Sequence, residues 1–157
     1  MSTLAQFSRN IRSLKSRVVN NSTALTKKMA RRSLKALIAG TPVDKGVARS
    51  NWRVGLGAST RSVIGAYTPY PKGSKGGGQG RGETANASAA YAAGSARIDS
   101  VRGVPGVGLR TAIIITNNVP YIEQLDAKHN FVQPAIQASR TALAGFRLFA
   151  RNPDNGE

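Results

Sequence analysis

Two short patterns in the sequence combine residue types that can do chemistry, and the first is rich in glycine. Residues 80–85, GRGETA, match the G-x-G-x-x-A spacing of loops whose backbone amides bind the phosphates of a dinucleotide. Such a loop must follow a strand, but no strand is predicted just before residue 80, and neither Gly-Lys-Ser nor Gly-Lys-Thr occurs in the chain. We therefore interpret residues 80–85 as part of a basic linker.

The second pattern consists of three titratable residues, Glu123, Asp126 and His129, spaced three apart. On one helical face they would form a metal or acid–base cluster. However, the local helix is expected to end near Asp126, and the chain has a single histidine, which leaves no second imidazole and no triad. Pairing of the carboxylates with surplus cations is the better interpretation. The sequence thus predicts a protein that is not an enzyme and has no metal or cofactor.

The net charge is the most unusual property of the composition. Twenty-three Lys and Arg against seven Asp and Glu give +16. A field of this sign attracts polyanions such as nucleic acid, an acidic protein surface or anionic lipid, although a merely soluble basic surface is the alternative. The absence of cysteine excludes disulfides and thiolate metal sites. No apolar run approaches the ~20 residues of a membrane span, so we expect no membrane partner.

Residues 4–38 predict a long amphipathic helix. Its apolar positions recur at steps of three and four: Leu4, Phe7, Ile11, Leu14 and Val18, then Leu25, Met29, Leu34, Leu37 and Ile38. The polar stretch 20–23, NNST, favours caps, so the helix is expected to bend or split there. Unbroken, it would span about 50 Å, more than a compact domain of this size needs. Most of it should pack on the core, and part of it should lie against another chain.

Residues 41–54, TPVDKGVARSNWRV, predict a rigid corner between helix and sheet. Gly40 is expected to cap the helix in a left-handed conformation, and Gly46 to take a positive φ in a turn. A strand follows with Trp52 on its inner face. The corner comprises Thr41, Pro42, Val43, Asp44, Gly46 and Trp52. It either sets an angle needed for assembly or simply stabilises the monomer.

The middle of the chain predicts two further strands separated by a flexible arm. The strands are expected at 61–67 and at 110–116, RTAIIIT, whose apolar run implies burial on both faces. The arm covers about 68–108 and begins with a long Gly-rich basic loop, whose cations are Lys72, Lys75 and Arg81. Within it, residues 85–98 predict an alanine-rich helix, capped by Thr84 or Asn86, with little to anchor a core.

The last third of the chain predicts a short helix opened by Pro120 and a C-terminal helix opened by Pro134. The C-terminal helix should turn four apolar residues inward: Ile136, Leu143, Phe146 and Phe149. The expected fold is therefore a single α+β domain over 1–150. A long N-terminal helix packs on a small, twisted, mostly antiparallel sheet, and residues 151–157 form a disordered tail.

Three segments, taken in order, resemble the tail-completion or neck proteins of tailed bacteriophages, including minor tail protein Z. They are TPVDKGVARSNWRV, AIIITNNVPYIEQLD and FVQPAIQAS, and they cover most of the chain outside 68–108. The matching positions are those of the corner, Asn117, Asn118, Pro120 and Tyr121, and Pro134 with Ala135. The chain departs from the family at EQLDAKHNF, where relatives commonly carry a Gly-bearing turn, so contacts made by that turn are not carried over.

The resemblance implies a non-enzymatic virion protein, assembled in the host cytoplasm, that forms a homo-oligomeric ring in the neck. Its implied partners are the head connector above and tail-tube or terminator proteins below, with non-specific contact to DNA in the channel. Candidate assembly contacts are Asn117, Asn118, Pro120, Tyr121 and Glu123. The basic arm faces either a partner or the DNA.

Two other function classes remain open from the sequence. The charge and the Gly/Lys/Arg loop also suit a nucleic-acid-binding protein of ribosomal or nucleoid type. Against that interpretation, no aromatic residue lies between Tyr70 and Tyr91 to stack on bases. A minor capsid or tail-tube subunit differs from a neck protein only in its location in the particle.

Overall fold

The computed structural model describes residues 4–42, 46–69, 81–104 and 108–143. Their helices and strands, in chain order, are α1 (Leu4–Gly40), α2 (Val47–Ser50), β1 (Arg53–Leu56), α3 (Arg81–Asp99), β2 (Ile113–Thr116), α4 (Ile122–His129) and α5 (Val132–Thr141). β1 and β2 pair antiparallel, with Val54 opposite Ile115 and Leu56 opposite Ile113. The predicted α+β fold, with a long N-terminal helix and a small antiparallel sheet, is confirmed.

The core lies where the C-terminal part of α1 meets α3, α5 and the inner face of the sheet. Nine buried side chains form it: Leu34, Leu37, Ile38, Trp52, Val54, Ala90, Ile98, Phe131 and Ala135. α3 packs antiparallel to α1, because Gly94 lies against Leu34 while Asp99 reaches Arg31. A Cβ on Gly94 would stand 2.5 Å from Leu34 Cδ2 and 3.2 Å from Val54 Cγ2. Glycine therefore lets α3 approach the helix and the sheet together.

α1 is continuous through residues 20–23, where the sequence predicted a bend or a break. The hydroxyls of Ser22 and of Thr26, just after this stretch, bond back onto helix carbonyls and do not cap a new helix. Ser22 Oγ donates to the Val19 carbonyl at 2.9 Å, and Thr26 Oγ1 donates to the Ser22 carbonyl at 2.9 Å. Such local bonds satisfy the side chains without interrupting the helix.

The predicted left-handed cap at Gly40 is wrong. Gly40 is the last helical residue, and among the described glycines positive φ occurs at Gly46, Gly57 and Gly108. Gly40 instead provides space, since a Cβ there would lie 2.7 Å from Phe131 Cβ. The start of α5 therefore packs directly on the end of α1.

The strand predicted at 61–67 is also wrong, because side chains take up the backbone groups that a neighbouring strand would have paired. Asn51 bonds to both sides of Ile64: its Nδ2 donates to the Ile64 carbonyl, and its Oδ1 accepts from the Ile64 amide, each at 2.8 Å. Arg53 donates to the carbonyl and to the side-chain hydroxyl of Ser62. The segment is an irregular loop that the side chains of Asn51 and Arg53 hold in place.

The helix predicted within the arm is present as α3 (Arg81–Asp99), but the expectation that it has little to anchor a core is wrong. Ala90 and Ile98 of this helix are buried in the core. Asn86 lies inside the helix and not at its cap, and its buried side chain ties α3 to residue 68: Nδ2 donates to the Thr68 carbonyl at 3.0 Å, and Oδ1 accepts from the Thr68 amide at 2.7 Å. α3 thus joins the core through small residues that allow close approach and through the buried side chain of Ile98.

The C-terminal helices also differ from expectation. α4 continues to His129, past the end predicted near Asp126, and Asn130 terminates it in the left-handed region at φ 48°. Asparagine tolerates this conformation well, so Asn130 takes the place that glycine commonly has in such a turn. α5 starts at Val132, before Pro134. It buries Ala135 and leaves Ile136 exposed, so the predicted inner face is wrong there.

Four further expectations are only partly met or fall outside the described ranges. All four residues of β2 are half-buried, where the apolar run predicted burial on both faces. Phe146, Phe149 and the tail at 151–157 lie outside the described residues. Within the described ranges, no helix combines the length and the hydropathy that crossing a bilayer requires.

Candidate assembly surfaces

The corner predicted from the sequence joins the end of α1 to the sheet through one buried hydroxyl. Trp52 Nε1 donates to Thr41 Oγ1 at 2.7 Å, and Thr41 Oγ1 donates to the Leu37 carbonyl at 2.6 Å. Thr41 is fully buried, and the Trp52 ring meets Phe131 edge-on with centroids 6.1 Å apart. Because a buried indole N–H needs an acceptor, the side chain of Thr41 fixes where Trp52 sits.

The rest of the corner is built around a glycine with a left-handed backbone. Gly46 has φ 74° and leads into α2, so the predicted positive φ is present. The Thr41 carbonyl accepts from Arg49 of α2 at 2.8 Å, which closes the corner between the two helices. Pro42 is half-buried, and Val43 and Asp44 lie outside the described residues. A side chain at position 46 would strain the monomer itself, whatever its effect on assembly.

The two asparagines among the predicted assembly contacts bond within the protomer. Asn117 Nδ2 donates to the Ala48 carbonyl at 2.7 Å, and Asn118 donates to the Thr60 carbonyl. Pro120, Tyr121 and Glu123 lie on the surface. The two asparagines therefore fix the position of this segment within the protomer. Pro120, Tyr121 and Glu123 form its exposed surface.

Asp126, the middle residue of the set Glu123, Asp126 and His129, has a structural role. Its Oδ1 accepts from the amides of Phe131 and Val132, each at 2.9 Å. These amides begin α5, where backbone donors have no partner inside the helix. Glu123 and His129 are exposed, and no group of three potential metal ligands forms within the described ranges. The geometry thus assigns Asp126 to the α4–α5 junction.

Two buried asparagines were missed by sequence reasoning, although they connect the irregular segments to the helices. Asn51 holds Ile64, and Asn86 holds residue 68 and accepts from Ser50 Oγ at 3.1 Å. A single asparagine inside an alanine-rich run was the available signal for Asn86, because asparagine is a poor helix former. Of the predicted basic arm, Arg81 is the first residue of α3, and Lys72 and Lys75 lie outside the described residues.

The N-terminal part of α1 carries an apolar face that the protomer leaves uncovered. Every residue from 4 to 17 is exposed, and we call this stretch the projecting segment. Its apolar side chains are 82% exposed at Leu4, 60% at Phe7, 48% at Ile11 and 40% at Leu14. The first buried residue of α1 is Val19. At ~1.5 Å per residue, about 20 Å of helix extends beyond the core.

The two apolar faces of α1 point in different directions. At about 100° per residue, Leu4, Phe7, Ile11, Leu14 and Val18 centre roughly 150° away from Leu34, Leu37 and Ile38. The latter three are buried, and the former five are exposed or half-buried. The stripe at the start of the chain is thus not an extension of the core-facing stripe. It is a second face of the same helix, suited to a different partner.

The sheet has an outer edge at β1 that no described strand pairs. The Gly57 amide donates to the Ala112 carbonyl at 2.9 Å, in register with the pairs of β1 and β2. Since bonded pairs alternate in antiparallel ladders, the backbone groups of Val54 and Leu56 point away from β2. They border an open groove of about 500 Å³ that Tyr67, Gly94 and Arg97 also line. Such an edge accepts an extended segment from another chain.

Comparisons with protein-family models, with curated proteins and with solved structures find no match to this chain.

Proposed function

We propose that this protein is a structural subunit of the neck of a tailed bacteriophage. In this proposal, copies form a ring that joins the head connector to the tail and surrounds the DNA channel. The observation that carries it is the projecting segment of α1, whose apolar side chains are 40–82% exposed in the isolated protomer. Exposed apolar surface of this kind marks an interaction site in a protein that works within an assembly.

Three further features support an assembly subunit. The resemblance of the corner, of the Asn117–Tyr121 segment and of the start of α5 to neck proteins is the reason for placing the proposed subunit in the neck. The unpaired edge of β1 is a second candidate contact surface, separate from the projecting segment, that neighbouring copies in a ring could use. Asp126, the central member of the acid–base set, is engaged by backbone amides, which supports a structural role for this region.

The main alternative is a basic nucleic-acid-binding protein, and one observation favours it. Arg9, Arg12, Lys15 and Arg17 are all exposed on the projecting segment. Cations on an accessible helix contact phosphates without reading sequence. In the neck, the same cations would face DNA in the channel or an acidic neighbour.

Locating the chain in purified particles tests the proposal. Cryo-electron microscopy of the particle should place a ring of copies between head and tail, and a particle lacking the chain should fail to join the two. A position in the capsid or the tail tube would overturn the neck assignment in favour of a minor capsid or tail-tube subunit.

A solution experiment separates the nucleic-acid alternative. The purified protein is sized with and without candidate connector and tail proteins, and its binding to a short DNA duplex is titrated at increasing salt. Ring formation with weak DNA binding is the expected result. A monomer whose tight DNA binding falls steeply with salt would favour the nucleic-acid-binding alternative.

A further inference from the structure

The apolar face of the projecting segment is a narrow seam with a defined charge pattern. Leu4, Phe7, Ile11, Leu14 and Val18 follow strict three–four steps, so they span only about 80° of the helix at about 100° per residue. The positions between them are polar or small. A seam of this width is typical of a helix that packs between other helices, and broader apolar faces cover a core.

The cations near this seam occupy two distinct positions. Lys15 and Arg17 lie along its two borders, whereas Arg9 lies on the opposite side of the helix. Residues 1–43 contain nine Lys and Arg and no Asp or Glu, since the first acidic residue of the chain is Asp44. The seam is therefore an apolar line with positive borders and no negative group to complement them.

This pattern argues against pairing of the seam with the same seam of a second copy. Paired helices commonly place opposite charges at the borders of their apolar line, and like charges there oppose association. Two copies of residues 4–17 would bring Lys15 and Arg17 against cations alone. A sister subunit thus does not cover the seam with its own projecting segment, and with seven Asp and Glu against twenty-three Lys and Arg the rest of a sister copy is a poor source of complementary carboxylates.

Duplex DNA and anionic lipid account for the observations less well than protein does. Phosphates would neutralise the cations but leave Leu4 and Phe7 exposed to water. Binding to a lipid surface strengthens with the apolar area that the helix buries, and this seam is narrow. Only a groove with an apolar floor and carboxylates on its rims complements both features.

We infer that the projecting segment of α1 docks, as a helix, into an apolar groove bordered by carboxylates on a different protein. The inference rests on the proposed function, under which the groove belongs to an acidic protein stacked above or below the ring. Leu4, Phe7, Ile11 and Leu14 enter the groove, and Lys15 and Arg17 meet its rims. This is a helix-in-groove contact of the kind that amphipathic helices make with acidic partners.

The experiment uses the full-length protein and calcium-loaded calmodulin as a surrogate, because calmodulin is an acidic protein with an apolar groove for amphipathic helices. Binding is measured by titration calorimetry. Phe7→Ser should weaken the affinity by about ten-fold or more, as expected for an apolar anchor, and Ala5→Ser on the opposite side by less than about two-fold. The paired change Lys15→Glu and Arg17→Glu should weaken binding more than Arg9→Glu. Circular dichroism checks that each variant keeps its helix content.

The same variants are titrated with phosphatidylcholine–phosphatidylserine vesicles and with a short DNA duplex, and are sized over a range of concentrations. The inference is overturned if the Phe7→Ser and Ala5→Ser proteins bind calmodulin equally, because charge alone would then explain the affinity. Vesicle binding or self-association that requires Phe7, tighter than binding to calmodulin, would also overturn it. None of these outcomes depends on where the chain sits in a particle, so failure here is distinguishable from failure of the neck assignment.

Discussion

The two ends of α1 differ in what surrounds them more than in what they are made of. The projecting segment (residues 4–17) and residues 30–40, here the packed segment, both carry apolar residues at helical spacing. The packed segment buries Leu34, Leu37 and Ile38 under α3 and α5, whereas the projecting segment leaves Leu4, Phe7 and others in solvent. Periodicity thus identifies an apolar face and leaves its partner undetermined. A face covered within the chain stabilises the fold, and an uncovered face is available for binding.

Truncating matched leucines on the two segments gives the largest expected difference. Leu34→Ala removes a fully buried side chain and should lower the free energy of unfolding by about 2–5 kcal/mol. Leu14→Ala removes a side chain that is 40% exposed and should change it by less than about 0.5 kcal/mol. Urea denaturation followed by Trp52 fluorescence measures both. Equal losses would mean that the projecting segment is covered within the monomer.

Adding a side chain where α3 lies closest to the packed segment should have the next largest effect on stability. Gly94→Val places atoms against the buried side chains of Leu34 and Val54, which must shift to admit them, and should cost about 1–3 kcal/mol of stability. Gly65→Val is the matched control, because nothing lies within 4 Å of a Cβ at that position. Thermal unfolding compares the two. A stable Gly94→Val protein would contradict the tight packing of α3.

The hydroxyl of Thr41, the residue that follows the packed segment, can be removed while the shape of the side chain is kept. Thr41→Val leaves the buried Nε1 of Trp52 without its acceptor and should cost about 1–3 kcal/mol. Thr41→Ser keeps the hydroxyl and should lose less than half as much. The emission of Trp52, the chain's single tryptophan, reports the change directly. Equal losses of stability in the two variants would show that the hydrogen bond does not stabilise the corner.

The junction that delivers α5 to the packed segment should respond more mildly. Asp126→Ala removes the acceptor for the first amides of α5 and should cost about 0.5–2 kcal/mol, as loss of a helix cap does. Glu123→Ala, an exposed neighbour on α4, should leave stability almost unchanged. Denaturant midpoints measure both variants. A larger effect at Glu123 would reopen the question of a functional acidic cluster.

The smallest expected effect is at the surface ion pair between α1 and α3. Arg31 and Asp99 are 39% and 53% exposed, and exposed pairs of this kind contribute about 0–1 kcal/mol. Arg31→Gln should therefore destabilise slightly at low salt and not at high salt. Arg12→Gln, on the projecting segment, should have no effect on stability at either salt concentration. A loss at Arg31 that persists in high salt would point to packing by its stem instead.

The parts of the fold that the sequence predicted well depend on local chemistry. The helical period of α1, the run of isoleucines in β2 and the glycine at position 46 each restrict the nearby backbone directly. Trp52 next to an alternating segment correctly indicated a buried ring beside β1. The failures at 61–67 and at Asn86 involve hydrogen-bond partners 13 and 18 residues away, and the failure at Ile136 concerns which face of α5 packs on α1. In each case a distant hydrogen bond or a neighbouring helix decided the outcome.

The sequence by itself determined that this protein is an α+β chain with a long basic amphipathic helix and a constrained corner, because dihedral preferences and periodicity act over a few residues. Only the tertiary structure decided which apolar face of α1 is buried. α3 and α5 cover the face of Leu34, Leu37 and Ile38, and the stripe that begins at Leu4 lies roughly 150° around the helix at about 100° per residue. Burial depends on which helices and strands pack together in the folded chain, and helical periodicity carries no information about that packing.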